Sequence, residues 1–143
     1  MFAPSADDVR DFFVAARRKR SEGLPLTPLE TIAADWIEAH PEYAADLADA
    51  EAARAATYAA GAGRENPFLH LSMHLSISEQ VAIDQPAGIR PAFDALAARL
   101  GSAHAAQHEV MECLGTMLWE AQRGGRPPDG AAYVDCVRRR VTR

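Results

Sequence analysis

The sequence predicts an all-α, single-domain helical bundle of about six or seven helices. Apolar residues recur every three or four positions along most of the chain, the spacing of one face of an α-helix. Short breaks rich in glycine and proline separate these segments, and no convincing stretch alternates polar and apolar residues as a half-buried strand does. Since 48% of the 143 residues are hydrophobic, the chain can bury a core, and we expect one domain over residues 1–143.

The first two predicted helices carry clear start signals. Ser5, followed by acidic residues, predicts an N-cap for a helix that ends near Arg20. Residues 27–30 (TPLE) combine a capping threonine, a proline at the first helical position and a glutamate that can complete a capping box. Pro41 cannot continue this second helix, so we expect the chain to bend at His40.

The remaining predicted helices follow at short intervals. Pro41 can open another helix through about residue 59, before a loop at residues 61–67 (GAGRENP), where Asn66-Pro67 starts the next helix. The last four helices are predicted over about residues 67–84, 89–100, 103–123 and 129–140. The first of these four is apolar on nearly every face, so we expect it to lie centrally in the bundle.

Composition and charge argue against several classes of protein. No apolar run approaches the ~18–20 residues that span a bilayer, and the N-terminus lacks the pattern of a secretory signal. The two cysteines are too few for a disulfide scaffold, and we expect Cys113 to be a buried small residue rather than a ligand or nucleophile. The net charge of −5 argues against a surface built for nucleic acid. We therefore expect a cytoplasmic protein.

The spacing of the histidines is the strongest functional signal. Four of the five form two His-x3-His pairs, His70 with His74 and His104 with His108. Residues four apart share a helix face, so two imidazoles can converge on one ion at about 2.0–2.1 Å per nitrogen. Glu112 extends the second pair by one turn, as a supporting ligand or as an acceptor for an imidazole N–H. The pattern predicts a transition metal ion, with zinc or iron favoured, held by these five residues.

The sequence does not decide whether a protein with such a metal is an enzyme, a sensor or a carrier, and it indicates no substrate. In an enzyme a metal-bound water would react, with Glu112 or Glu79 as the candidate general base. Of the two, Glu79 fits an ordinary solvated or capping residue better than it fits a general base. Asp84 precedes Gln85-Pro86 and fits turn chemistry better than it fits a ligand.

Two other classes of function compete with metal binding. A structural or protein-interaction module, for example a homodimer, would need no metal. A nucleic-acid or ribosome-associated adaptor would use the arginine-rich ends of the first and last helices, at residues 17–20 and 138–143. We favour metal over the adaptor, because cations at helix C-termini also complement the helix dipole and no aromatic residues interleave with them.

Residues 66–80 (NPFLHLSMHLSISEQ) and 84–90 (DQPAGIR) resemble a family of uncharacterised bacterial proteins, catalogued only as a domain of unknown function. The resemblance extends to residues 27–30, 104–119 and 125–129 and covers nearly the whole chain. It implies no established activity. In that family a further histidine directly follows the His40-Pro41-Glu42-Tyr43 segment, whereas this sequence has Ala44 there, which leaves the part of His40 open.

Overall fold

The computed structural model describes residues 5–58 and 65–142. These residues form seven α-helices and one short 3₁₀ helix, with no β-strand among them, so the predicted all-α class is confirmed. The helices are α1 (Ala6–Ser21), α2 (Pro28–Glu38), α3 (Ala50–Ala55), α4 (Pro67–Ile83), α5 (Ile89–Leu100), α6 (Ala103–Gly124) and α7 (Gly130–Val141), and the 3₁₀ helix is Pro41–Tyr43. None of the described helices combines the length and the apolar character needed to cross a membrane.

The helices group into two compact units. The first unit ends at Leu75 and the second begins at Ser76, so the division falls within α4. The expectation of a single domain over residues 1–143 stays a prediction.

The start signals in the sequence produce the helices that they predict. Ser5 accepts a hydrogen bond from the Asp8 N–H at 3.1 Å while the Asp8 carboxylate accepts one from the Ser5 N–H, which completes a capping box. Thr27 and Glu30 form the same reciprocal pair at the start of α2. At the start of α4 the Asn66 side chain accepts from the next free backbone N–H groups.

The single helix predicted over residues 41–59 is wrong. The chain forms the 3₁₀ helix, passes through turns and starts α3 anew, because Asp49 takes an extended conformation (φ −141°) and its side chain caps the Ala52 N–H. Arg10 then donates to the carbonyls of Ala53 and Ala56 at 2.7 Å, which satisfies the C-terminal end of this short helix. The predicted end of that helix at residue 59 and most of the predicted loop at 61–67 lie outside the described residues.

The core of the first unit forms where α1 packs against α2 and α3. Its fully buried side chains include Phe13, Ala33, Leu47 and Leu71. Ion pairs also border this core at the C-terminal end of α1. Lys19 donates to Glu30 at 2.7 Å, and the Lys19 hydrogen bond, followed by those from Thr27, lowers the pKa of Glu30.

In the second unit α5, α6 and α7 pack against one another. Their buried side chains are mainly apolar, with Ile89, Leu96, Val110 and Val137 fully buried, although Gln107 on α6 is buried as well. A disulfide between Cys113 and Cys136 joins α6 to α7. Cys113 is buried, as expected, but its pairing with Cys136 was not predicted.

The apolar helix α4 buries only part of its surface. Leu71 and Ile77 are fully buried, whereas Leu69 is 60% exposed and Ile83 is 66% exposed. This helix therefore has apolar residues on nearly every face but buries only some of them.

Candidate metal centre

Three imidazole rings meet in the first unit. The Nε2 atoms of His70 and His74 lie 3.1 Å apart, and each lies 3.2 Å from the Nε2 atom of His40. The three nitrogens thus form a nearly equilateral triangle. His74 is fully buried and His40 is only 3% exposed, so two of the three rings have left bulk water. Buried imidazoles need polar partners, because burial removes the hydrogen bonds that water would supply.

His40 reaches the cluster because α2 ends immediately before it. Pro41 disfavours helical backbone at the preceding residue, and His40 accordingly takes φ −126° and ψ 65°. Its Nδ1 donates to the backbone carbonyl of Trp36 at 2.7 Å. The Tyr43 ring stacks on the imidazole with the centroids 5.3 Å apart and the planes 4° from parallel. A backbone carbonyl and an aromatic ring therefore set the orientation of His40.

His70 and His74 lie one turn apart on α4, as the sequence predicts. The Trp36 ring stacks on the His74 ring at 3.9 Å between centroids, with the planes within 13°. The same tryptophan therefore positions two of the three histidines, one through its carbonyl and one through its ring.

Glu65 supplies the partner of the third ring. Its Oε1 lies 2.9 Å from His70 Nδ1, and its Oε2 accepts a long hydrogen bond from the Tyr43 hydroxyl at 3.5 Å. Burial, followed by the negative charge of Glu65, raises the pKa of Tyr43 to about 12. Tyr43 is therefore a neutral phenol at physiological pH and remains a donor to Glu65.

These partners fix the tautomers of two rings. A carbonyl and a carboxylate accept hydrogen bonds, so Nδ1 of His40 and Nδ1 of His70 both carry the proton. In a neutral imidazole the other nitrogen, Nε2, then presents a lone pair. Two such lone pairs face each other across 3.2 Å. That arrangement is unfavourable unless a cation or an N–H donor, such as a protonated Nε2 of His74, lies next to both nitrogens.

The triangle has the dimensions of a metal-ligand set. Nitrogens 3.1–3.2 Å apart, each about 2.0–2.1 Å from one ion, give N–metal–N angles of about 95–105°. These angles lie between the octahedral and tetrahedral values. His40, His70 and His74 would hold such an ion through their Nε2 atoms, and three protein ligands would leave coordination positions for other ligands.

A family model matches nearly the whole chain. It is called Domain of unknown function (DUF1841), and it aligns with residues 5–139. The chain belongs to this family. No curated protein and no solved structure gives a significant match. Membership in DUF1841 therefore assigns no activity, and the bacterial origin implied by the sequence resemblance stays a prediction.

The second predicted pair of this DUF1841 chain lies in the second unit. The rings of His104 and His108 meet on α6 with their centroids 4.6 Å apart. His104 is half-buried and His108 is exposed. Their spacing on one helix face is therefore as predicted, and their part in metal binding stays a prediction.

Glu112 is exposed and forms an ion pair with Arg140. Its carboxylate lies 2.5 Å from Arg140, which also pairs with Glu109 at 3.0 Å. These two carboxylates raise the pKa of Arg140. The guanidinium gives Glu112 a partner other than a metal ion, and its predicted role as a ligand stays untested.

The two other acidic candidates differ in their surroundings. Glu79 is exposed on α4. Asp84 accepts hydrogen bonds from the backbone N–H groups of Arg90 at 2.9 Å and Gly88 at 3.1 Å, and these bonds lower its pKa. Asp84 thus organises the turn before α5.

Sequence reasoning gave His40 no firm role and missed Trp36 and Glu65 altogether. A histidine placed between a helix end and a proline was a usable signal, because the proline forces the chain to turn there. Nothing in the sequence pairs residue 40 with residues 70 and 74, since that contact depends on the packing of the first unit.

Proposed function

We propose that this protein binds a transition metal ion through the Nε2 atoms of His40, His70 and His74. The proposal rests on one observation above all: three ring nitrogens lie within 3.1–3.2 Å of one another, and the hydrogen-bond partners of His40 and His70 leave a lone pair on Nε2 of each ring. A single ion would satisfy all three nitrogens at once. The proposal makes His40 a metal ligand, a role that the sequence alone left open.

Zinc is the first choice of metal and iron the second. Imidazole nitrogens suit zinc, iron, nickel and copper, whereas calcium and magnesium prefer oxygen ligands. Three neutral imidazoles leave the charge of the metal uncompensated, as in catalytic zinc sites with three protein ligands and a bound water. The Glu65 carboxylate on His70 and the Trp36 carbonyl on His40 are the acceptors that typically orient metal-binding histidines.

The remaining coordination positions decide how the metal is used. An enzyme would place a water there, lower its pKa and use it as the nucleophile, whereas a carrier or sensor would exchange the ion. The proposal that His104, His108 and Glu112 supply further ligands rests on their sequence spacing. Homo-oligomer formation and a cytoplasmic location likewise stay predictions, and a disulfide such as Cys113–Cys136 is uncommon in reducing compartments.

The adaptor alternative is weakened by the ion pairs of the basic clusters. Arg18 pairs with Glu22 at 2.9 Å, Arg20 pairs with two carboxylates, and Arg139 pairs with Asp135 at 3.2 Å. Charges balanced in this way supply less of the electrostatic attraction on which nucleic-acid binding depends.

The test is the metal content of untagged protein, purified without chelator and measured by plasma mass spectrometry. We expect near-stoichiometric zinc or iron in the purified protein, or stoichiometric uptake after dialysis and titration with Zn²⁺. The combined variant His40→Gln/His70→Gln should lose this uptake. Protein that holds no metal and takes up none of zinc, iron, nickel or copper would overturn the proposal.

Two variants make that result specific. Glu51→Gln changes an exposed side chain in the first unit and should leave the metal content unchanged. The double variant His104→Ala/His108→Ala measures what the second pair contributes. If that pair supplies ligands, the zinc affinity falls in this variant although the three nitrogens of the first unit are intact.

A further inference from the structure

A cleft of about 440 Å³ opens in the first unit beside the histidine cluster. Its walls are formed by the C-terminal part of α1, by α2 and by the residues that follow α2, including Arg17, Arg20, Ile37 and His40. The volume lies within the range of about 300–1,000 Å³ that is usual for small-molecule sites. The proposed metal site does not account for this cleft.

Two arginines line the cleft, and they differ in the partners that the described residues give them. Arg20 donates to Asp35 at 3.0 Å and to Glu38 at 2.8 Å, so its guanidinium is already paired with two carboxylates. Arg17 is half-buried and forms no hydrogen bond or ion pair with any residue in the described parts of the chain. Its guanidinium therefore keeps its planar set of donors available for an anion that enters the cleft.

The rest of the wall is mainly apolar. Ala34 and Ile37 are 1% and 6% exposed, and Pro41 and Ala44 continue the apolar wall beyond α2. A single cation beside an apolar surface suits a ligand with one negative end and a hydrocarbon body.

We infer that this cleft binds a small organic monocarboxylate. The carboxylate pairs with the Arg17 guanidinium in the two-pronged geometry that arginine favours, and the hydrocarbon part lies against Ile37 and Ala44. Arg17 is the lining arginine that has no carboxylate partner among the described residues, so it is the group to which a ligand carboxylate can bind. A dianionic phosphate would bring a second negative charge near the Glu38 carboxylate, which also lines the cleft.

His40 connects the cleft to the histidine cluster. His40 is one of the residues that line the cleft, and its Nε2 lies 3.2 Å from the Nε2 atoms of His70 and His74. The inference goes beyond the proposed metal site and does not require it, so carboxylate binding and metal content are separate measurements on the same protein. If the metal proposal fails, binding in the cleft can still be tested in the metal-free protein.

The probe is hexanoate, titrated into ¹⁵N-labelled protein in metal-free and zinc-treated samples and followed by amide chemical shifts. We expect saturable shifts at Ala34, Ile37 and Ala44, with an affinity about tenfold or more above that of hexan-1-ol, which has the same chain and no charge. Arg17→Gln should remove this advantage, and Arg17→Lys should keep part of it.

The matched control is Arg18→Gln, on the next residue of α1. Arg18 pairs with Glu22 and does not line the cleft, so this variant should bind hexanoate like the parent protein. The amide spectra report at the same time whether each variant is folded. Equal affinity for hexanoate and hexan-1-ol, no binding of hexanoate, or unchanged binding by Arg17→Gln would overturn the inference. Tighter binding of hexyl phosphate than of hexanoate would overturn the assignment to carboxylates.

Discussion

The two units fill their interiors with different chemistry. In the second unit, mainly apolar side chains pack between α5, α6 and α7, the buried amide of Gln107 donates to Ser78, and a disulfide links α6 to α7. In the first unit, the apolar core includes Phe13 and Leu47, but His40 and His74 are also buried. Such an interior is stabilised by packing and by a covalent crosslink. An interior with three converging imidazole nitrogens can hold a cation, so we expect the first unit to respond to metal and the second to respond to reductant.

The largest effect should follow from His74→Ala. This substitution removes a fully buried ring that stacks on Trp36 and provides one of the three nitrogens. We expect a loss of about 3 kcal/mol in the free energy of unfolding, together with the loss of zinc uptake. Denaturant unfolding and metal analysis measure the two effects.

The control for His74→Ala is Met73→Ala, at the neighbouring, partly buried position of α4. This variant should keep its zinc even if its stability falls. Zinc uptake by His74→Ala at the parent affinity would show that the triangle of nitrogens is not the binding site.

The second effect concerns the disulfide. Cys113→Ala/Cys136→Ala removes a crosslink between residues 23 apart in sequence. The chain-entropy relation gives a loss of about 3 kcal/mol, or roughly 6–12 °C in Tm. The metal content should not change, since neither cysteine belongs to the first unit. If the double variant unfolds at the same temperature as the parent protein, or if it loses its metal, the proposed difference between the two units is wrong.

The third effect is a change in metal affinity without loss of the site. Glu65→Gln replaces the carboxylate that orients His70 by an amide, a weaker acceptor. Such changes next to metal ligands typically cost about 10–100-fold in affinity, and we expect a weakening in this range in a competition titration with a zinc chelator. The number of zinc ions that Glu65→Gln binds per chain at saturating zinc should remain that of the parent protein. An affinity equal to that of Glu51→Gln would show that Glu65 does not position the ring.

The smallest effect is the acid sensitivity that Glu30 gives to the first unit. Its pKa is lowered by Lys19, so the carboxylate stabilises the fold above its unfolded-state pKa of about 4.5, and this contribution is lost as the pH falls through the lower folded value. Glu30→Gln should therefore flatten the dependence of stability on pH in this acidic window. Urea unfolding of both proteins at a series of pH values measures how the free energy of unfolding depends on pH. A steeper dependence in the variant would contradict the assignment.

Local signals in the sequence were sufficient for most helices. The caps at Ser5, Thr27 and Asn66 require only neighbouring residues, and each helix begins where its cap predicts. The failure at residues 41–59 has a local cause as well, since alanine-rich composition suggested a continuous helix while Asp49 interrupts it with a new cap. Alanine favours a helix but does not determine where it begins.

The candidate site could be predicted only in part. The i,i+4 spacing of His70 and His74 places both nitrogens on one helix face, and this much follows from periodicity. The contact with His40 joins residues 30 and 34 positions apart, and the disulfide joins two different helices. Such contacts depend on which elements pack together, and no pattern within a single helix contains that information.

The most direct test of the three-histidine metal site is a long-range ¹H–¹⁵N spectrum of the histidine rings, recorded before and after addition of one equivalent of Zn²⁺. We predict that Nδ1 of His40 and of His70 is protonated, and that the Nε2 signals of His40, His70 and His74 all move to metal-bound positions. Zinc binding that leaves the Nε2 signal of any of these three rings unchanged would contradict the three-histidine site.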